Sequence, residues 1–117
     1  PLMVKKICKN VGEKDIVYDI GAHIGYYSSI FNNVTKSKKV VSLEPDFYSS
    51  NLIKMNTNER GVVVNKFIGG EVNHNTTTLN NLVSAIKIKP SVIKMDIEGF
   101  EVEAFEADCG KCGFMYL

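Results

Sequence analysis

The run at residues 16–28, Ile-Val-Tyr-Asp-Ile-Gly-Ala-His-Ile-Gly-Tyr-Tyr-Ser, constrains this chain more than any other. It opens as a short apolar strand over 16–20 and passes through a turn that holds Gly21 and Gly25. It then carries apolar residues at Ile24, Tyr27, Ile30, Phe31 and Val34, the spacing of a helix. Strand, glycine turn and helix make up a nucleotide-binding βα unit, in which the glycines let the backbone approach a ligand closely. Asp19 puts an acid at the strand end. The remaining segments are expected to complete a pocket around this turn.

Those segments alternate in period. Val4, Ile7, Cys8 and Val11 predict a short amphipathic helix over 3–11. Residues 32–39 are polar and lysine-rich and read as a solvated helix end and loop. A second strand over 40–44 is bounded by Pro45, which suits a first helical position. The helix that follows, 47–58, is expected to pack Tyr48, Leu52 and Met55 into the core. The β-branched stretch 61–68 predicts a third strand, and 71–77 reads as loop. Leu79, Leu82, Val83 and Ile86 form a further helical stripe, capped by Thr77 or Thr78 and stopped by Pro90. A fourth strand over 92–97, a helix over 100–107, a turn over 109–113 and a fifth strand over 114–117 complete the pattern. Strands alternating with helices predict an α/β fold with a parallel sheet and right-handed crossovers.

At 117 residues the chain is one domain, 1–117, long enough to bury a core of a few strands and helices. A formal net charge of +1 gives no general attraction to nucleic acid or to an anionic membrane. Arg60 is the sole arginine, whereas nucleic-acid readers favour arginine forks, so no nucleic-acid partner is expected. No membrane partner is expected either, since no apolar stretch approaches the ~18 residues of a span. The first 11 residues are too short and too lysine-interrupted for a secretory signal. Three cysteines cannot all pair within the chain, which points to a reducing, cytoplasmic setting. Cys109 and Cys112 form a C-x-x-C without a second pair, so ordinary thiols are expected there and no metal site.

In open parallel sheets, ligands bind beyond the carboxyl ends of the strands. Three strands place acids there: Asp19, Glu44, and Asp96 with Glu98. Glu44 follows the glycine turn at close to the ~20 residues at which a carboxylate accepts from ribose hydroxyls. Its alternative role is to answer the dipole of the next helix. The turn is Gly-x-x-x-Gly, and His23 replaces the middle glycine that would admit a pyrophosphate, which weighs against a dinucleotide. The period of a strand puts Val92, Lys94, Asp96 and Glu98 on one face and Ile93, Met95 and Ile97 on the other. Lys94 then either pairs with a carboxylate to support the sheet, or Asp96 and Glu98 face a ligand.

With these residues assembled, the chain resembles the FkbM family of S-adenosylmethionine-dependent methyltransferases. The matching stretches are DIVYDIGAHIGYYS, VVSLEPD with the helix ending NLIKMNTN, TTLNNL, and VIKMDIEGFEVEAF. They cover most of 15–107 in the family's order, and the strand running into D-x-E-G-x-E is the most specific. The resemblance implies a Rossmann-like methyltransferase three-layer sandwich of about five mostly parallel strands, here without the C-terminal antiparallel strand pair. The cofactor it implies is S-adenosylmethionine. By position, Asp19 and the turn Gly21, Ala22, His23 and Gly25 would cradle the methionine and ribose, Glu44 would take the ribose hydroxyls with Pro45 beside it in the cofactor site, and Asp96 would lie near the sulfonium and acceptor. The reaction implied is in-line methyl transfer to a hydroxyl of a small molecule or sugar, with Asp96 and Glu98 as candidate bases. The alternatives are a non-catalytic cofactor-binding relic that associates with another copy through its fifth-strand edge, and a dinucleotide oxidoreductase.

Overall fold

A computed structural model describes residues 2–57, 61–96 and 115–116. Its centre is a five-stranded sheet in which every pairing is parallel. The strands are β1 (Ile16–Ile20), β2 (Lys39–Leu43), β3 (Val62–Val64), β6 (Val92–Met95) and β7 (Met115–Tyr116), in the order β3-β2-β1-β6-β7. Two further strands of two residues each, β4 (Phe67–Ile68) and β5 (Thr76–Thr77), pair in parallel beside it. The chain therefore steps outward from β1 to β3, then returns to the other side of β1. That reversal between β1 and β6 is where such a sheet opens a ligand crevice at its carboxyl ends.

Successive side chains point to opposite faces, and the central strands are buried at nearly every position, so both faces of the sheet are covered. On one face Tyr18, Ile20, Val41, Leu43, Ile93 and Met95 pack with Leu79 and Leu82 of α4 (Leu79–Ile86). On the other, Val17, Val40 and Val92 pack with Ile7 of α1 (Leu2–Asn10) and Phe31 of α2 (Tyr26–Asn33). The result is the expected three-layer α/β sandwich. Tyr18 carries the only polar atom of the first set, and its hydroxyl donates to the Ile88 carbonyl.

Several local expectations shift. The helix after β2, α3 (Phe47–Asn56), begins later than Pro45: Asp46 is its N-cap and accepts from the Ser49 N–H at 2.9 Å. A carboxylate at that position meets one of the four unpaired N–H groups that every helix start exposes, which proline cannot do. The buried face of α3 is Ser50 and Ile53, while Tyr48, Leu52 and Met55 are exposed, Met55 at 71%. The stripe of Tyr48, Leu52 and Met55 thus faces away from the core, and α3 packs towards α2 and β3 through Ser50 and Ile53. Ile24 and Val34 are likewise exposed, since α2 starts after the first and ends before the second. The expected third strand divides into β3 and β4, and the expected loop over 71–77 ends in β5. Thr78 caps α4 by accepting from the Asn81 N–H at 3.1 Å, and Lys87 at φ +58° ends that helix ahead of Pro90. The ends of the expected fourth and fifth strands, the helix over 100–107, Cys109 and Cys112 lie outside the described residues.

Candidate functional site

Strand register assembles the site. In one row across the sheet, Val17 stands opposite Val40 and Val92. Two residues on, the same face presents Asp19 opposite Ser42 and Lys94. An apolar row is thus followed by a buried polar one, covered by α2. Asp19 is wholly buried, Ser42 and Lys94 nearly so.

Ser28 of α2 reaches down into this row. Its hydroxyl donates to Asp19 Oδ2 at 2.7 Å and lies 2.7 Å from the Ser42 hydroxyl. An ionised carboxylate only accepts, so Ser28 gives its proton to Asp19 and receives that of Ser42. Lys94 Nζ stands 3.7 Å from Asp19 Oδ1, 3.9 Å from Asp96 Oδ2 and 4.3 Å from the centre of the Tyr27 ring. The first two separations are ion-pair contacts, longer than hydrogen bonds, and the third is a cation–π contact. Among the described residues Asp19 Oδ1 accepts no hydrogen bond. Burial pushes the Asp19 carboxyl above its ordinary range; the Lys94 charge, the Ser28 hydrogen bond and His23 oppose that rise.

Above this row lies the rim. Gly21, at φ +75°, and Ala22 both donate their N–H groups to the Leu43 carbonyl, at 2.9 and 3.0 Å. Gly25, at φ +92°, donates to the Ala22 carbonyl at 2.9 Å and opens α2. His23 also adopts a left-handed conformation, φ +55°, and its N–H donates to Glu44 Oε1 at 2.8 Å. Glu44 Oε2 accepts from the Asp46 N–H at 2.9 Å. The Asn65 amide holds the next stretch by donating to the carbonyls of Glu44 and Pro45, both at 2.8 Å. The exposed His23 imidazole then spans the opening, with Nδ1 3.8 Å from Glu44 Oε1 and Nε2 3.7 Å from Asp96 Oδ2.

The sequence-expected residues therefore divide. Gly21, Ala22, His23, Gly25, Glu44 and Asp96 converge on one rim, with Pro45 just behind Glu44. The Asp19 side chain lies beneath that rim, under α2, where its contacts are Ser28 and Lys94. Glu98 lies outside the described residues. Ser28, Ser42 and Tyr27 belong to the polar chain although the sequence singled out none of them for it. The signal was weak but present: Val-x-Asp, Val-x-Ser and Val-x-Lys recur at 17–19, 40–42 and 92–94.

The rim has a definite chemical character. Four turn N–H groups, those of residues 21, 22, 23 and 25, already have partners within the protein. A cradle for pyrophosphate needs such groups free and pointing at the ligand. Two carboxylates, Glu44 and Asp96, flank the opening instead. That set suits a ligand bearing hydroxyls and positive charge. A depression of about 620 Å³ lined by Lys36, Lys38 and Lys39 opens at the other, amino-terminal end of the strands and takes no part in this site. Among the described residues no group of three or more His, Cys, Asp or Glu is arranged to hold a metal ion, and no helix is long and apolar enough to cross a membrane.

No family model matches the chain, and no curated protein does. Solved structures match its fold. An rRNA methylase from Streptococcus thermophilus superposes with a TM-score of 0.66 at 13% identity, over 90% of this chain and 59% of that one. M. capricolum TrmK in complex with S-adenosyl-homocysteine gives 0.64 at 12%, over 94% and 47%. A SAM-dependent methyltransferase from Geobacter sulfurreducens in complex with S-adenosyl-L-homocysteine gives 0.63 at 12%, over 92% and 42%. The chain thus spans between about two fifths and three fifths of these proteins. The class of fold is the Rossmann-like sandwich of S-adenosylmethionine-dependent methyltransferases.

Proposed function

We propose that this chain binds S-adenosylmethionine at the carboxyl-terminal rim of its sheet and belongs to a methyltransferase. One observation carries the reading: the glycine turn, Glu44 and Asp96 meet at a single opening, joined by His23. Methyltransferases of the same fold, crystallised with S-adenosyl-homocysteine, support it. The residues fit the ligand. Each Glu44 oxygen accepts one N–H, and a carboxylate has about four lone-pair sites, so acceptor capacity remains for two ribose hydroxyls. Asp96, the more exposed acid, offers negative charge to a cationic centre.

When bound, the cofactor supplies an electrophilic methyl group on a sulfonium. The chain's part is to hold donor and acceptor in line. In this reading the acceptor is a hydroxyl of a small molecule or sugar, whose proton passes to Asp96 or Glu98 as general base. The ordered FkbM-type motifs support that choice of acceptor and membership of that family. A reducing, cytoplasmic setting belongs to the same proposal and rests on three cysteines that cannot all pair. The lone arginine argues for a small acceptor over RNA.

The test is calorimetric titration with S-adenosylhomocysteine, with NADH as the comparison ligand. Binding of the first and not the second is expected, with Glu44→Ala weakening it about tenfold or more, as for a lost hydrogen-bonded charge. NADH binding alone, or a Glu44→Ala protein with unchanged affinity, overturns the assignment. Methyl transfer to RNA in place of hydroxylated small molecules would overturn the acceptor class alone.

A further inference from the structure

We infer that Lys94 is the positioning residue of the rim: a buried cation, anchored from below by Asp19 and Tyr27, that holds the Asp96 carboxylate at the opening. The inference rests on the S-adenosylmethionine reading and adds a role that reading does not supply.

The geometry carries it in three steps. First, Lys94 has almost no contact with solvent, yet its ammonium stands between two carboxylates, one wholly buried and one largely exposed. Among the described residues it links the polar row beneath α2 to the Asp96–His23 contact above. Second, the groups that flank it on the inner side are themselves held in place. Asp19 is fixed by the Ser28 hydroxyl, Ser28 by Ser42, and the Tyr27 ring lies against the ammonium. Third, stability does not account for the charges. The preceding row, two residues back on the same face, fills the equivalent positions with Val40, Val17 and Val92, and a buried ion pair is commonly no more stabilising than apolar residues of its volume. Here the pair is also imperfectly satisfied, since Asp19 Oδ1 lacks a hydrogen bond and Nζ sits 3.7 Å away. What the charges achieve that three valines cannot is a cation at the base of the rim, against which Asp96 is set.

Lys94→Met alone would strand the Asp19 charge and can fail to fold, so the informative variant is Asp19→Asn/Lys94→Met, which removes both charges together. Its thermal midpoint should stay close to that of the parent. Its affinity for S-adenosylhomocysteine should fall about tenfold, the middle of the range for directly coupled residues. Because Lys94 acts through Asp96, the same pair of substitutions made in an Asp96→Asn background should cost nothing further. Unchanged affinity in a folded double variant overturns the inference, as does an equal loss in the Asp96→Asn background. A ligand-free readout separates this from failure of the cofactor assignment. The side-chain carboxyl ¹³C resonance of Asp96 should move in the double variant, and a resonance that stays in place refutes the positioning role whether or not the cofactor binds.

Discussion

Ser28→Ala is the sharpest probe of the buried row. Ser28 is wholly buried and its hydroxyl joins Asp19 Oδ2 to Ser42, each at 2.7 Å. Because Asp19 Oδ1 has no hydrogen bond among the described residues, the variant removes the hydrogen bond to the other oxygen of a buried carboxylate. A hydrogen bond to a charged group contributes about 1.5–3 kcal/mol, and the stranded Ser42 hydroxyl adds roughly 1 kcal/mol. The total, about 2.5–4 kcal/mol, corresponds to a fall in Tm of about 10–16 °C for a chain of this size. The pH dependence follows from the sign of the Asp19 shift. Burial raises that carboxyl, with Lys94 and then Ser28 opposing, so losing Ser28 raises it further. A carboxyl raised in the folded state contributes stability that is present below its ordinary value and lost as pH rises through the raised one. The Ser28→Ala penalty should therefore be small in acid, where Asp19 is protonated in both proteins, and grow as pH rises through the raised Asp19 value, levelling off above it. Urea unfolding at a series of pH values measures it. A penalty below about 0.5 kcal/mol, or one flat with pH, refutes the account of the row.

Three further outcomes test the fold around the site. Gly61→Ala should destabilise by at least about 2 kcal/mol in denaturant unfolding, because a Cβ there would stand 2.3 Å from the Val40 carbonyl oxygen at a φ of +76°. Thr78→Ala should cost about 1 kcal/mol by removing the cap of α4, with Thr78→Ser restoring most of it in the same measurement. Tyr48→Lys and Met55→Lys should each change stability by less than about 0.5 kcal/mol, whereas Ile53→Ala should cost about 2–5 kcal/mol; the reverse ranking would show that α3 packs through the other face.

The sequence by itself determined the order of the sheet strands 16–20, 40–44 and 92–97 with their helices, their parallel direction and the acids at their ends, though not the short β4–β5 pair. Strand β1 and its glycine turn follow from the local run at 16–28, because period and glycine placement act over a few residues. Glu44 and Asp96 were legible because each closes an apolar strand, and chain direction alone sends parallel strand ends to one side. Tertiary structure decided what those ends do. The inward face of α3 depended on what fits between α2 and β3, so a stripe of Tyr48, Leu52 and Met55 that reads as core is exposed, and Ser50 and Ile53 are buried. Asp19 looked like a ligand contact and lies under α2, because Ser28 and Lys94, distant in sequence, meet it only when strand register aligns residues 19, 42 and 94. Burial and ion pairing depend on that alignment across separate strands, whereas the turn that precedes them needs only its own residues.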